Sequence, residues 1–189
     1  MHRVFGVPLV VALFFFGIML PTAVSVDLGG LRLSAYRVVL ILWFLPMVLQ
    51  LLSGRSGRMT VFDIMLGLHC AWAVAALIKW GGLAQGIESG GIYVVECAGA
   101  YLVGRLYIRS YEDFVAMARA YVMVVVGMLI FTIPEAITAV HILHDGISSV
   151  MGAPAAPYID QRMGLERTFG PFDHPILYGV FSASAFSLA

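Results

Sequence analysis

The densest run of chemically capable side chains is Asp160-Gln161-Arg162-Met163-Gly164-Leu165-Glu166-Arg167-Thr168-Phe169-Gly170-Pro171-Phe172-Asp173-His174-Pro175, directly before a final apolar stretch. Pro175 suits the first position of a helix, where its missing N–H would have no intrahelical partner. Asp173 or His174 would cap that helix, Asp being the better capper. The free amides and positive dipole end of such a helix favour an anion. Arg162 and Arg167 stand close by in sequence, and a planar guanidinium grips phosphate oxygens through paired hydrogen bonds. A lipid-linked diphosphate carries its charge at the membrane surface, so anion binding is the chemistry this run offers. The competing reading is structural: the two arginines pair with Asp160, Glu166 or Asp173 and anchor a loop. Arg162 and Glu166 have the i, i+4 spacing of a helical pair.

Other polar residues stand inside apolar stretches. Glu96 falls near the middle of one, and an ionisable group there is by default a functional-site candidate. It would accept a proton, touch substrate, or pair with a basic residue on another helix. His69 reads as a buried histidine bonded to a neighbour. Glu135 follows Pro134, and a kink with interfacial solvation accounts for it. His141, His144 and Asp145 have a sparse ligand-like spacing, but a catalytic zinc site needs three protein ligands with support behind them, and no HExxH pattern is present. Neither a metal nor an organic cofactor is expected. Cys70 and Cys97 lie in apolar runs without a CxxC spacing and read as small buried hydrophobes.

The elements that position these residues follow from composition. The 189 residues are 61% hydrophobic and 12% charged, with eleven basic against eleven acidic side chains; mean hydropathy is +0.94. A soluble domain carries about a quarter charged residues, so the composition excludes one and indicates a polytopic membrane protein whose partner is the bilayer. Zero net charge gives nothing to draw a nucleic acid. About 20 apolar residues span a bilayer as a helix. Five such stretches run at 4–26, 36–52, 61–80, 87–108 and 115–140. A sixth opens at Pro175 and is still apolar at Ala189, which reads as the front part of a longer protein. Unbroken apolar runs do not alternate as barrel strands would. The fold expected is all-α, a bundle of transmembrane helices in one domain, 1–189, with a long outward loop over 141–174.

Arg3 before the first run, with Ala23-Val24-Ser25 after it, has the outline of a signal peptide, but the run exceeds the usual ~7–15 residues. It reads as a retained first span. The basic joints at Arg55 and Arg58, and at Arg105 and Arg109, place the N-terminus inside and the 141–174 loop outside.

Arg167-Thr168-Phe169-Gly170-Pro171-Phe172-Asp173-His174-Pro175 resembles the Arg-x-x-Gly-x-Phe-x-x-Pro segment of the O-antigen ligase and O-antigen polymerase superfamily, which also opens a membrane helix after several N-terminal spans. The resemblance implies a lipid-sugar glycosyltransferase bundle of the metal-independent (GT-C) kind in a bacterial inner membrane. Its members transfer glycan from an undecaprenyl-diphosphate carrier in lipopolysaccharide or exopolysaccharide biosynthesis. It implies that Arg167 contacts the carrier's diphosphate and that Gly170, Phe172 and Pro175 shape the loop and helix start. Many members have asparagines flanking the proline; here His174 and Ile176 stand there. The catalytic residues are expected beyond residue 189, in a further basic outer loop, and His174 is not their histidine. Two other readings stand beside this one: a transporter or channel portion with Glu96 as coupling carboxylate, and a plain membrane anchor.

Overall fold

The computed structural model describes residues 3–4, 6–21, 24–28, 31–55, 57–151 and 161–188. Ala23 of the cleavage-like triplet, the Gly29-Gly30 joint and Asp160 lie outside the described residues. The chain is mostly helical. Two short antiparallel ribbons flank the first helix: β1 (Arg3–Val4) with β2 (Val7–Pro8), then β3 (Ser25–Leu28) with β4 (Leu31–Ser34) in the register Ser25↔Ser34 to Leu28↔Leu31.

The first helix, α1 (Leu9–Met19), is much shorter than the 4–26 stretch expected. Proline sets both limits. Pro8 occupies the N-cap, and Leu20 is extended at φ −77°, ψ 130° because Pro21 follows it. Eleven residues rise only about 16 Å.

Three helices are long and apolar enough to cross a membrane: α2 (Ala35–Leu52), α3 (Val61–Tyr107) and α4 (Tyr111–Thr138). Their faces are not covered by protein: Leu45 on α2, Trp72 on α3 and Ile130 on α4 are 64%, 77% and 72% exposed. Apolar surface on that scale is stable only against lipid or another apolar partner.

α3 merges the two stretches expected at 61–80 and 87–108. Its 47 residues would reach about 70 Å if straight, but Gly82 breaks the helix at φ 80°, ψ 173°. Only glycine holds that conformation without strain. The chain then folds back on itself. Tyr101 donates to Asp63 at 2.7 Å, His69 lies 2.7 Å from Tyr93, Val74 packs on Gly90 and Ile78 on Gly86. Each pair is centred on residue 81 or 82, the signature of an antiparallel helical hairpin. A Cβ on Gly86 would stand 2.7 Å from the Ile78 Cα, so the arms touch backbone to side chain there. Cys70 and Cys97 are free thiols, one on each arm of the hairpin.

The closed end of the bundle is set by two capping boxes. Thr60 and Asp63 begin α3, and Ser110 and Asp113 begin α4, each with reciprocal side-chain to backbone bonds. Both aspartates also reach across helices: Asp63 to Tyr101 and, at 3.5 Å, to Arg105; Asp113 to Arg3 at 2.7 Å. Above them sits the core of Val7, Val10, Val11, Leu40, Met47, Leu102, Val103 and Leu106, where α1, α2 and the second arm of α3 meet.

The expected loop at 141–174 contains α5 (Ile142–Met151), a helix the sequence reading did not anticipate. The last helix is α6 (Pro175–Phe186), which packs antiparallel on α4.

The native cysteines report on the hairpin. Oxidant-catalysed crosslinking of Cys70 to Cys97 is expected in the wild-type protein. Gly86→Leu, which overpacks the contact by about 1–3 kcal/mol, should lower both the crosslink yield and the melting temperature; an unchanged yield would refute the fold-back.

Candidate functional site

The segment singled out by its residue types is held on the end of α4 by a buried glutamate. Glu135 is 1% exposed. Its Oε1 accepts the Phe169 backbone N–H at 3.0 Å and lies 2.8 Å from His141 Nδ1. With Glu135 as a carboxylate, His141 donates to it from Nδ1. One residue along, the Glu166 N–H donates to the Ala136 carbonyl at 3.0 Å. That carbonyl belongs to the last turn of α4, where backbone acceptors have no intrahelical donor. The segment thus fills hydrogen-bonding capacity that the helix end leaves open.

Packing completes the attachment. Phe169 is fully buried, with the His141 ring centred 4.3 Å away and the His144 ring 5.7 Å away, edge-on. His144 Nδ1 is buried and has no hydrogen-bond partner among the described residues. Gly170 has φ 53° and comes so close to α4 that a Cβ would sit 3.1 Å from Thr132 Cγ2. Thr132 shares a hydrogen bond with the Tyr178 hydroxyl of α6 at 3.1 Å, and Tyr121 of α4 donates to the Phe181 carbonyl at 2.7 Å. Phe172 packs on Tyr178 and Phe181, and its N–H closes a turn onto the Phe169 carbonyl.

Each expected residue has a definite place. Pro175 is the first residue of α6, and His174 is its cap, accepting the Ile176 N–H on Nδ1 at 3.2 Å. His174 therefore takes the position for which Asp173 was the better candidate. Gly170 and Phe172 lie on the approach to α6, Gly170 against Thr132 and Phe172 against Tyr178 and Phe181. Arg167 is half-buried, two residues from the Phe169 attachment. Among the described residues it makes no ion pair and no side-chain hydrogen bond. Arg162 is exposed, and its backbone pairs with Leu165 around a two-residue turn in which Met163 and Gly164 both have positive φ, at 54° and 76°. The stretch is not helical, so the i, i+4 pairing of Arg162 with Glu166 does not form.

Glu96 is not part of this site. Its Oε1 accepts from Tyr36 Oη at 2.6 Å and from Arg37 Nε at 2.7 Å, joining the second arm of α3 to the first turn of α2. Of the three roles open to it, the pairing with a basic residue on another helix is the one the geometry displays. His69 bonds to Tyr93 across the α3 arms as expected, but it is exposed rather than buried. Among the described residues no group of three or more His, Cys, Asp or Glu side chains is arranged to hold a metal ion.

Glu135 was undervalued from sequence. It is not solvated at the interface; it is among the most enclosed polar groups described. The available signal was the general one, that an acid in an apolar helix has a reason to be there. Nothing local pointed to Phe169, 34 residues away.

No family model, no curated protein and no solved structure matches the chain.

Two predictions follow from the geometry. Glu135→Ala orphans the Phe169 N–H, a loss of about 1–3 kcal/mol, and should free the segment. Trypsin cleavage after Arg167 should rise several-fold, while cleavage after Arg162, already exposed, should not change. At the second cluster, Arg37→Leu alone leaves the Glu96 carboxylate without its cation and should lower the melting temperature more than Arg37→Leu combined with Glu96→Leu.

Proposed function

We propose that the protein is a membrane glycosyltransferase of the O-antigen ligase and polymerase type, acting in cell-surface polysaccharide synthesis on an undecaprenyl-diphosphate-linked glycan at the bacterial inner membrane. The observation that carries the reading is Arg167: a half-buried guanidinium with no counter-ion among the described residues, on a segment fixed by Glu135, just ahead of a proline-started helix. A cation fixed in position before the ligand arrives needs no reordering to meet a charged group.

In this reading Arg167 binds a diphosphate oxygen and neutralises the charge that grows on the leaving group as the glycosidic bond to the carrier breaks. Arg162, on its exposed turn, adds a second cation that reaches the headgroup from solution. Gly170 lets the chain pass close to α4, Phe172 packs the turn onto α6, and Pro175 starts the helix. The acceptor hydroxyl attacks the anomeric carbon, and a base takes its proton. The α3 hairpin contributes two crossings, and α2 and α4 one each. Together with α1 and the apolar chain around it, they form the lipid-embedded frame of a GT-C-type bundle, with the short α6 packed on α4.

Arg167→Ala, introduced into the gene in its native host, should reduce surface glycan attachment or chain extension at least tenfold. Protein abundance and the trypsin resistance of the segment should stay normal, and Arg167→Lys should retain part of the activity. Full glycan display by the Arg167→Ala strain would exclude the diphosphate role.

A further inference from the structure

A cleft between α2 and the α3 hairpin takes no part in the site above. It encloses about 590 Å³ and runs between Val48 and Leu51 of α2 and Leu66, Val74 and Ile78 on the first arm of α3, with Val94 opposite. The walls are apolar apart from Asp63 and Tyr101 at one end, and those two are already bonded to each other, with Thr60 and Arg105 completing the aspartate's partners. A polar ligand would find nothing to bond along this cleft. Its walls are faces of helices long and apolar enough to cross a membrane, so the molecules at hand to fill it are apolar and elongated.

The Asp63 end is marked by charge. Arg105 donates to the Arg58 carbonyl at 3.2 Å, which brings the connection between α2 and α3 over this end of the cleft. That connection, 53–60, holds Arg55 and Arg58 and no acidic residue. Both side chains are exposed, and among the described residues neither has a carboxylate partner. A hydrocarbon-lined slot whose Asp63 end lies under a connection carrying two arginines, Arg58 at the point bonded to Arg105, matches one kind of molecule in a bilayer, an amphiphile with an anionic head. An apolar helix of a second copy would fill the slot and leave the cationic rim unpaired.

We propose that this cleft is a binding site for an anionic phospholipid, with one acyl chain between α2 and the α3 hairpin and the phosphate held by Arg55 and Arg58. The assignment is independent of the glycan chemistry; it requires only that the helices lie in a bilayer. Basic pockets between membrane helices hold anionic headgroups by the same physics. The chain supplies apolar burial and the rim supplies head selectivity, so the two contributions separate experimentally.

The test uses the purified full chain, exchanged into equal amounts of phosphatidylglycerol and phosphatidylcholine and examined by native mass spectrometry. Retained phosphatidylglycerol should exceed phosphatidylcholine roughly tenfold, given the attraction each basic side chain contributes near an anionic head. In Arg55→Gln/Arg58→Gln the ratio should fall to near one. In Ala71→Phe, which narrows the cleft and leaves the rim intact, total retained lipid should drop several-fold. Retention of the Cys70–Cys97 crosslink verifies that each variant is folded. As a measurement on the unmodified sequence, phosphatidylglycerol with a photoreactive group in its acyl chain should label peptides covering 66–78 and 94–102. Equal retention of the two lipids by the wild type, or labelling spread evenly over α4, would overturn the proposal. So would an Ala71→Cys variant that crosslinks to a second copy while lipid retention is unchanged.

Discussion

A carboxylate removed from water must find donors, and at the end of α4 that requirement organises everything nearby. Glu135 has almost no solvent contact. It draws the Phe169 amide from one direction and the His141 ring from another. These charge-assisted bonds are stronger than neutral ones, and they act over a sequence distance of 34 residues. Once they form, the Phe169 ring is committed to a pocket walled by His141 and His144, and Gly170 is pressed against Thr132. The start of α6 is then fixed, since Phe172 packs on Tyr178 and Phe181 of that helix. Arg167 inherits its position from this chain of contacts without making a polar contact of its own among the described residues.

The opposite end of the bundle solves a similar problem with aspartates. Asp63 and Asp113 each begin as the third residue of a capping box, a local task. Each then accepts from a distant helix or strand, Asp63 from Tyr101 and Asp113 from Arg3. One side chain satisfies orphan amides and also sets the spacing between elements. Glu96 with Tyr36 and Arg37 adds a third polar clasp, between α2 and the second arm of α3. The apolar core is small, and much of the remaining apolar surface faces outward. Polar clasps therefore carry a large share of what specifies how these helices are arranged.

Much of the helical framework was legible in the sequence. The 36–52 stretch is α2 almost to the residue, and Pro175 opens α6 because a proline ring fits a first helical turn. The shortening of α1 was also written there, in Pro8 and Pro21, but hydropathy outweighed them in a reading based on apolar length. The Gly81-Gly82 pair was visible as a joint. That it reverses the chain so tightly, with Ile78 resting on Gly86, depends on a contact geometry that glycine permits without dictating. α5 lies outside the long apolar stretches; its amphipathic spacing was legible as helical periodicity, which a search for unbroken apolar runs passes over. At the site, the residue types around Arg167 were legible and the attachment was not. Glu135 and Phe169 are joined by a side-chain to backbone bond, and a backbone amide leaves no mark on a sequence.

The reversal at Gly82 bears on how the chain enters a bilayer. Two arms that meet through neighbouring residues can associate as soon as both have left the ribosome, before any later helix exists, because the loop to be closed is short. Asp63, His69 and Arg105 would each be costly to pass singly into hydrocarbon. Folded against each other, Asp63 meets Tyr101 and Arg105, and His69 meets Tyr93. The hairpin can therefore insert with these groups already bonded to one another, and serve as the template on which α4 assembles.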